Sequence, residues 1–123
     1  MSLRYTIDSG RRLVVITGEY QGDEEWRELL ATVGRDPAYA PGFAFLRDLR
    51  AARLPVDADV VARIVAVVRE AWPVLQPRRA AMVAPRDLES PVMVAHALAD
   101  DAAIPLRAFT SYEAALEWLL AER

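Results

Sequence analysis

Arg47, Asp48, Arg50 and Arg53 crowd the end of the apolar run Phe43–Leu46, and Asp57 and Asp59 open the next apolar run a few residues later. Guanidiniums at a strand end, close to a helix N-terminus, can hold a phosphate or a carboxylate through paired N–H donors. In a parallel sheet, ligands sit beyond the carboxyl ends of the strands, where this cluster falls. The plainer alternative is a set of surface arginines paired with Asp48, Asp57 or Asp59, each pair worth little. No glycine-rich cradle accompanies the arginines, and the plainer alternative is favoured.

Other residue types offer less. General acid–base catalysis by paired carboxylates needs two groups held in different environments. Asp57 and Asp59 are close, but Asp57 reads as a helix cap, and Asp100 and Asp101 read as solvent-facing residues near a helix end. Arg47 with Asp48 could form a catalytic junction only with a nucleophile that the sequence does not supply. His96, the one histidine, follows Val92 by four residues and Met93 by three. Without cysteine or a second histidine it makes a poor zinc site and reads as a partly exposed helix residue. No nucleophile elbow, phosphate loop or dinucleotide fingerprint is present. The absence of cysteine excludes disulfides, thiolate zinc sites and cysteine nucleophiles, and the absence of lysine excludes Schiff-base chemistry. The expectation is a non-enzymatic protein with no catalytic residue, metal or cofactor.

These residues need a frame to position them. Leu3, Tyr5 and Ile7 alternate with polar residues, so "LRYTID" reads as a half-buried strand. "LVVITG" is a second strand, and Ser9-Gly10 between them signals a hairpin. "GDEEWRELLATVGRDP" is a helix with acids in its first turn and a stripe of Trp26, Leu29, Leu30 and Val33, ended by Gly34 and Pro37. "FAFL" is a third strand. "DADVVARIVAVVREAW" is valine-rich, yet its length, the Asp57 cap and the polar stripe Asp59, Arg63, Ala66, Glu70 favour a helix ending near Trp72, before Pro73. "RRAAMVA" is a fourth strand. "SPVMVAHALADD" is a helix capped by Ser90, and "PLRAF" a short fifth strand. "TSYEAALEWLLAE" is a last helix, with Thr110 and Glu113 spaced as a capping box. The order β-β-α-β-α-β-α-β-α implies an α/β fold: a mostly parallel five-stranded sheet with an N-terminal hairpin and four main helices.

A chain of 123 residues suits one domain, spanning 1–123. A net charge of −3 gives no footprint for nucleic acid. No signal-peptide core or membrane span is evident, so a cytoplasmic protein is expected. All fifteen basic residues are arginine, which reads as compositional bias.

The second helix carries the strongest hint of interaction. Val60, Ile64, Val67, Ala71 and Leu75 form one stripe, and Val61, Val65, Val68 and Trp72 form another beside it. The combined arc is wider than a helix needs to cover a sheet. It signals either deep burial or an exposed strip for a protein partner, a homodimer or a lipid-like ligand. In the docking case Val61, Val65, Val68 and Trp72 supply the buried area, with Arg50 and Arg53 as rim.

Taken together, the opening "YTIDSGRRLVVITGEYQGDEEW", the segment "DPAYAPGFAFLRDLR", the strand "RRAAMVAPRDLES" and the closing "LRAFTSYEAALEWL" resemble the SpoIIAA-like branch of the STAS domains, the fold of anti-sigma-factor antagonists. The resemblance covers nearly the whole chain in order. It implies a SpoIIAA-like fold and a regulatory, protein-binding role in a bacterial cell. Phosphorylated members of the wider family carry a serine at the start of the helix after the third strand. Here Ala58 and Asp59 stand at that place, and no Ser or Thr occurs from Val33 through Glu89. A phosphoserine switch at this junction is therefore excluded, and Asp59 is a poor mimic of a group with nearly two charges. The alternative implied by the fold is a carrier of SEC14 type, with a small anionic or lipid-like ligand between the second and third predicted helices and Arg47 or Arg50 on its head group.

Overall fold

A computed structural model describes residues 3–52, 57–84 and 104–121. The described elements are β1 (Leu3–Asp8), β2 (Leu13–Gly18), α1 (Asp23–Arg35), β3 (Ala44–Asp48), α2 (Ala58–Leu75), β4 (Ala80–Val83), β5 (Leu106–Phe109) and α3 (Tyr112–Leu120). The predicted helix over 90–101, with Ser90, His96, Asp100 and Asp101, lies outside the described residues.

The strands form one sheet in the order β1-β2-β3-β4-β5. β1 and β2 pair antiparallel as the expected hairpin, and the three remaining pairings are parallel. An α/β fold with a mostly parallel five-stranded sheet is therefore present. Among the described residues it carries three helices.

Alternation along the strands assigns side chains to two layers. Val14, Ile16, Phe45, Ala80, Met82, Leu106 and Ala108 face α1 and α2. Leu13, Ala44, Leu46, Ala81 and Val83 face α3 through Ala115 and Leu119. β3 and β4 are buried on both faces, which is why their sequences run apolar without clear alternation. The two helices of the larger layer are tied by Trp26, whose indole N–H donates to the Ile64 carbonyl at 3.1 Å.

Several local expectations shift. β3 runs to Asp48, so Arg47 and Asp48 belong to the strand and not to a loop after it. α2 continues through Pro73 to Leu75 instead of stopping at Trp72. Proline there removes one N–H from the last turn, and Gln76 in the left-handed conformation then closes the helix by donating to the Trp72 carbonyl. The last helix is capped one residue later than expected: the Ser111 hydroxyl, not Thr110, accepts from Ala114 N–H at 3.2 Å. α1 starts from Gly22 at φ 137°, a conformation that favours glycine. No helix among the described residues is long and apolar enough to cross a membrane.

Candidate functional site

The β3–α2 junction does not bring Arg47 and Arg50 together. Arg47 lies on the α1/α2 face of the sheet, between Ile16 of β2 and Met82 of β4, its register partners. Asp48, one residue on, points to the α3 face. There its carboxylate accepts from Arg50 Nε at 3.0 Å and Arg50 Nη2 at 2.8 Å. The Arg50 guanidinium in turn stacks 4.3 Å from the Tyr112 ring centroid. Arg53 falls outside the described residues. The sheet therefore separates Arg47 from Arg50, and the four-residue cluster of the sequence is not one site among the described residues.

The pair Asp48–Arg50 is a local clamp. Burial pushes the Asp48 carboxyl up, but the Arg50 side-chain and backbone N–H bonds outweigh it and hold the group below the usual carboxylate range. Asp57 is the α2 cap: its carboxylate accepts from Val60 N–H at 3.0 Å. Asp59 is exposed and accepts from Arg63 Nε at 3.0 Å, and Arg63 also reaches Asp23 of α1 at 3.7 Å. Asp57 and Asp59 are thus engaged separately, one with backbone and one with an arginine.

The broad apolar arc of α2 resolves into burial. Val61 and Val65 are core residues, so they offer no docking strip on the folded domain. α2 lies over the sheet and beside α1, and one helix face cannot meet both with a narrow stripe. Val68 and Trp72 are partly buried at the edge of the same cluster. The large hydrophobic that stands exposed among the described residues is Val74, at 81%.

Arg47 is the residue whose position the sequence reading missed. It is 4% exposed, the one buried charged side chain among the described residues. Its Nη2 donates to the Gly18 carbonyl at 3.1 Å, and its guanidinium lies 5.2 Å from the Trp26 ring centroid. Nε and Nη1 have no hydrogen-bond partner among the described residues. Burial lowers the Arg47 pKa to about 10, against the smaller opposing pull of Asp48, Glu19 and Glu25. A signal existed: in a strand of period two, Arg47 shares a face with Phe43 and Phe45 and not with Asp48. Arg47 borders a small cavity of about 30 Å³ between α1, α2 and the sheet, walled mainly by Trp26, Val68, Trp72, Ala80 and Leu106. The predicted pocket between the second and third helices involves the helix over 90–101, which lies outside the described residues.

No protein-family model and no curated protein matches this chain. The functional reading therefore rests on the side chains and on the topology that positions them. Among the described residues, no group of three or more His, Asp or Glu is arranged to hold a metal ion.

Proposed function

We propose that the chain is a cytoplasmic, non-enzymatic regulatory domain of the SpoIIAA-like (STAS) type, which docks a protein partner without a phosphorylation switch. The strand order β1-β2-β3-β4-β5, with an antiparallel first pair, supports the resemblance. The observation that carries the reading is the surface at the first turn of α2. Ala58 and Asp59 are exposed at the position where the resemblance places the switch serine, and Asp59 is held by Arg63, which also reaches Asp23. Asp23, Asp57 and Asp59 set three carboxylates at this turn against one arginine, Arg63, so the turn keeps an excess of negative charge that favours a basic partner surface.

The test compares wild type with the double variant Ala58→Arg, Asp59→Arg, which leaves the Asp57 cap in place. Both are immobilised and exposed to extract from the source cell, and the captured proteins are identified and then purified. The expected result is a protein with a basic face that binds wild type directly, binds equally after phosphatase treatment, and loses affinity for the variant. Capture of the same proteins by both, or a dependence on phosphorylation of this domain, overturns the reading. Sedimentation of wild type over a concentration series decides whether the partner is a second copy.

A further inference from the structure

β1 is an edge strand that pairs with β2 alone among the described residues. Alternate residues of such a strand turn their N–H and C=O groups away from the sheet. Outside the β1–β2 ladder, no backbone hydrogen bond among the described residues involves Leu3–Asp8. Edges are ordinarily blunted by proline, by a bulge or by a covering element. β1 holds no proline, and its six residues pair with β2 in unbroken register. An open groove of about 560 Å³ lies against it, lined by Arg4, Tyr5 and Thr6 of the strand and by Glu28 and Thr32 of α1.

The side chains of the strand match a second copy of themselves. Leu3, Tyr5 and Ile7 face the α1/α2 layer, so by alternation Arg4, Thr6 and Asp8 face the other way. A second β1, antiparallel and related by a two-fold axis through Thr6, sets Thr6 against Thr6, Arg4 against Asp8 and Tyr5 against Ile7. These are a hydroxyl pair, opposite charges and an aromatic ring on a β-branched chain, the classes that stabilise neighbouring strands. Moving the axis to Tyr5 sets Arg4 against Thr6, and moving it to Ile7 sets Asp8 against Thr6. The charges meet only with the axis at Thr6. Arg4 is exposed and forms no ion pair among the described residues. Asp8 is bonded to Arg11 at 2.8 Å, yet its side chain is 44% exposed and its carboxylate has lone pairs for a second arginine.

We propose that the chain self-associates by antiparallel pairing of β1 with β1 of a second copy, joining the two five-stranded sheets into one with Thr6 on the two-fold axis. Pairing along one edge buries less than a standard interface, so the dimer is reversible and depends on concentration. The contact is at β1 and not at α2, and it does not rest on the docking surface at Ala58 and Asp59.

The test is charge reversal read by sedimentation. Arg4→Asp places like charges opposite Asp8, and Asp8→Arg places like charges opposite Arg4. Wild type, each single variant and an equimolar mixture of the two variants are sedimented over a concentration series, with circular dichroism as the check of fold. The expected result is a dimer in wild type, weakened about tenfold or more in each variant alone and restored in the mixture, where opposite charges face each other again. The docking variant Ala58→Arg, Asp59→Arg is expected to dimerise as wild type does. Thr6→Cys gives a second readout that keeps both charges, and it decides the matter if a charge variant does not fold. The chain has no cysteine of its own, and residues opposed on the axis lie about 4.5–5.5 Å apart between Cα atoms, within reach of a disulfide. Mild oxidation is expected to link Thr6→Cys into a dimer and to leave Glu113→Cys, at an exposed position of α3, monomeric. A wild type that stays monomeric throughout the series, a dimer indifferent to Arg4→Asp, a mixture no better associated than its components, or equal linking of the two cysteine variants overturns the proposal. A dimer lost in Ala58→Arg, Asp59→Arg overturns it too, by assigning self-association to α2.

Discussion

Arg47 and Asp48 are consecutive residues of β3 that lie on opposite faces of the sheet. Arg47 is enclosed beneath Trp26, while Asp48 is bonded to Arg50 on the α3 side. Oppositely charged neighbours in a strand cannot pair through contact, because successive side chains leave the pleat in opposite directions. What reads in sequence as one charged junction is two sites separated by a β-sheet.

For Arg47, the cost of burial outweighs the one hydrogen bond it makes among the described residues. Burial lowers the pKa to about 10, which corresponds to a penalty on the charged form of about 3 kcal/mol. Arg47→Met keeps an unbranched apolar stem and removes the guanidinium with its charge. This variant is expected to raise unfolding free energy by about 1–2 kcal/mol, read from urea denaturation at pH 7. A loss of stability would show that the guanidinium is better paired than the geometry indicates. Because the folded-state pKa lies below the unfolded one, the penalty is complete at neutral pH. It is relieved only as pH rises from about 10 towards the unfolded value.

Asp48 gives the opposite pH dependence. Its carboxyl is held below the ordinary range by Arg50 despite burial. The stabilisation it contributes is present above the unfolded carboxyl pKa and is lost as pH falls through the folded value. Asp48→Asn is expected to cost about 1 kcal/mol at pH 7, where half of the Arg50 side chain remains in solvent and screens the pair. The difference between variant and wild type should shrink towards zero in acid. A difference constant from pH 7 to acid would assign the effect to packing.

Burial along α2 predicts a contrast between two valines of the same helix. Val65→Ala removes methyl groups from the core and is expected to lose about 1–3 kcal/mol. Val74→Ala, at an exposed position, should change stability by less than about 0.5 kcal/mol. Chemical denaturation of the two variants side by side checks this. Equal effects would place Val65 at the surface, where the wide apolar arc would again be available to a partner.

The caps are separately testable. Asp57→Ala and Ser111→Ala should each cost about 1 kcal/mol, since each removes an acceptor from a first-turn N–H. Thr110→Ala should be close to neutral, which distinguishes the observed Ser111 cap from a capping box begun one residue earlier. Thermal melting of the three variants gives the order.

The local signals in the chain were mostly readable. The Ser9-Gly10 turn, the period-two pattern of Leu3 to Ile7 and the Asp57 cap of α2 lead from sequence to the hairpin and to the helix after β3. Where reading failed by a residue or two, the deciding interaction was itself local but ambiguous. Pro73 can end a helix or sit in its last turn, and Thr110 and Ser111 can both cap. The candidate site was less legible. Spacing placed Arg47, Asp48 and Arg50 together because distance along a chain ignores the pleat. The same limit left the two valine stripes of α2 with two readings. Only the packing of α2 against both α1 and the sheet turned Val61 and Val65 into core.

The sequence by itself determined the α/β class, the hairpin, the lack of any thiol or lysine chemistry and the absence of a Ser or Thr at the start of α2. These follow from residue types and from periodicities of two and 3.6, which act over a few residues. The tertiary structure alone decided that Arg47 is buried with no ion pair among the described residues and that its neighbour faces the other layer. Burial and electrostatic pairing depend on which elements lie above a strand, here Trp26 of α1 over β3, and that is set by contacts between residues far apart in the chain.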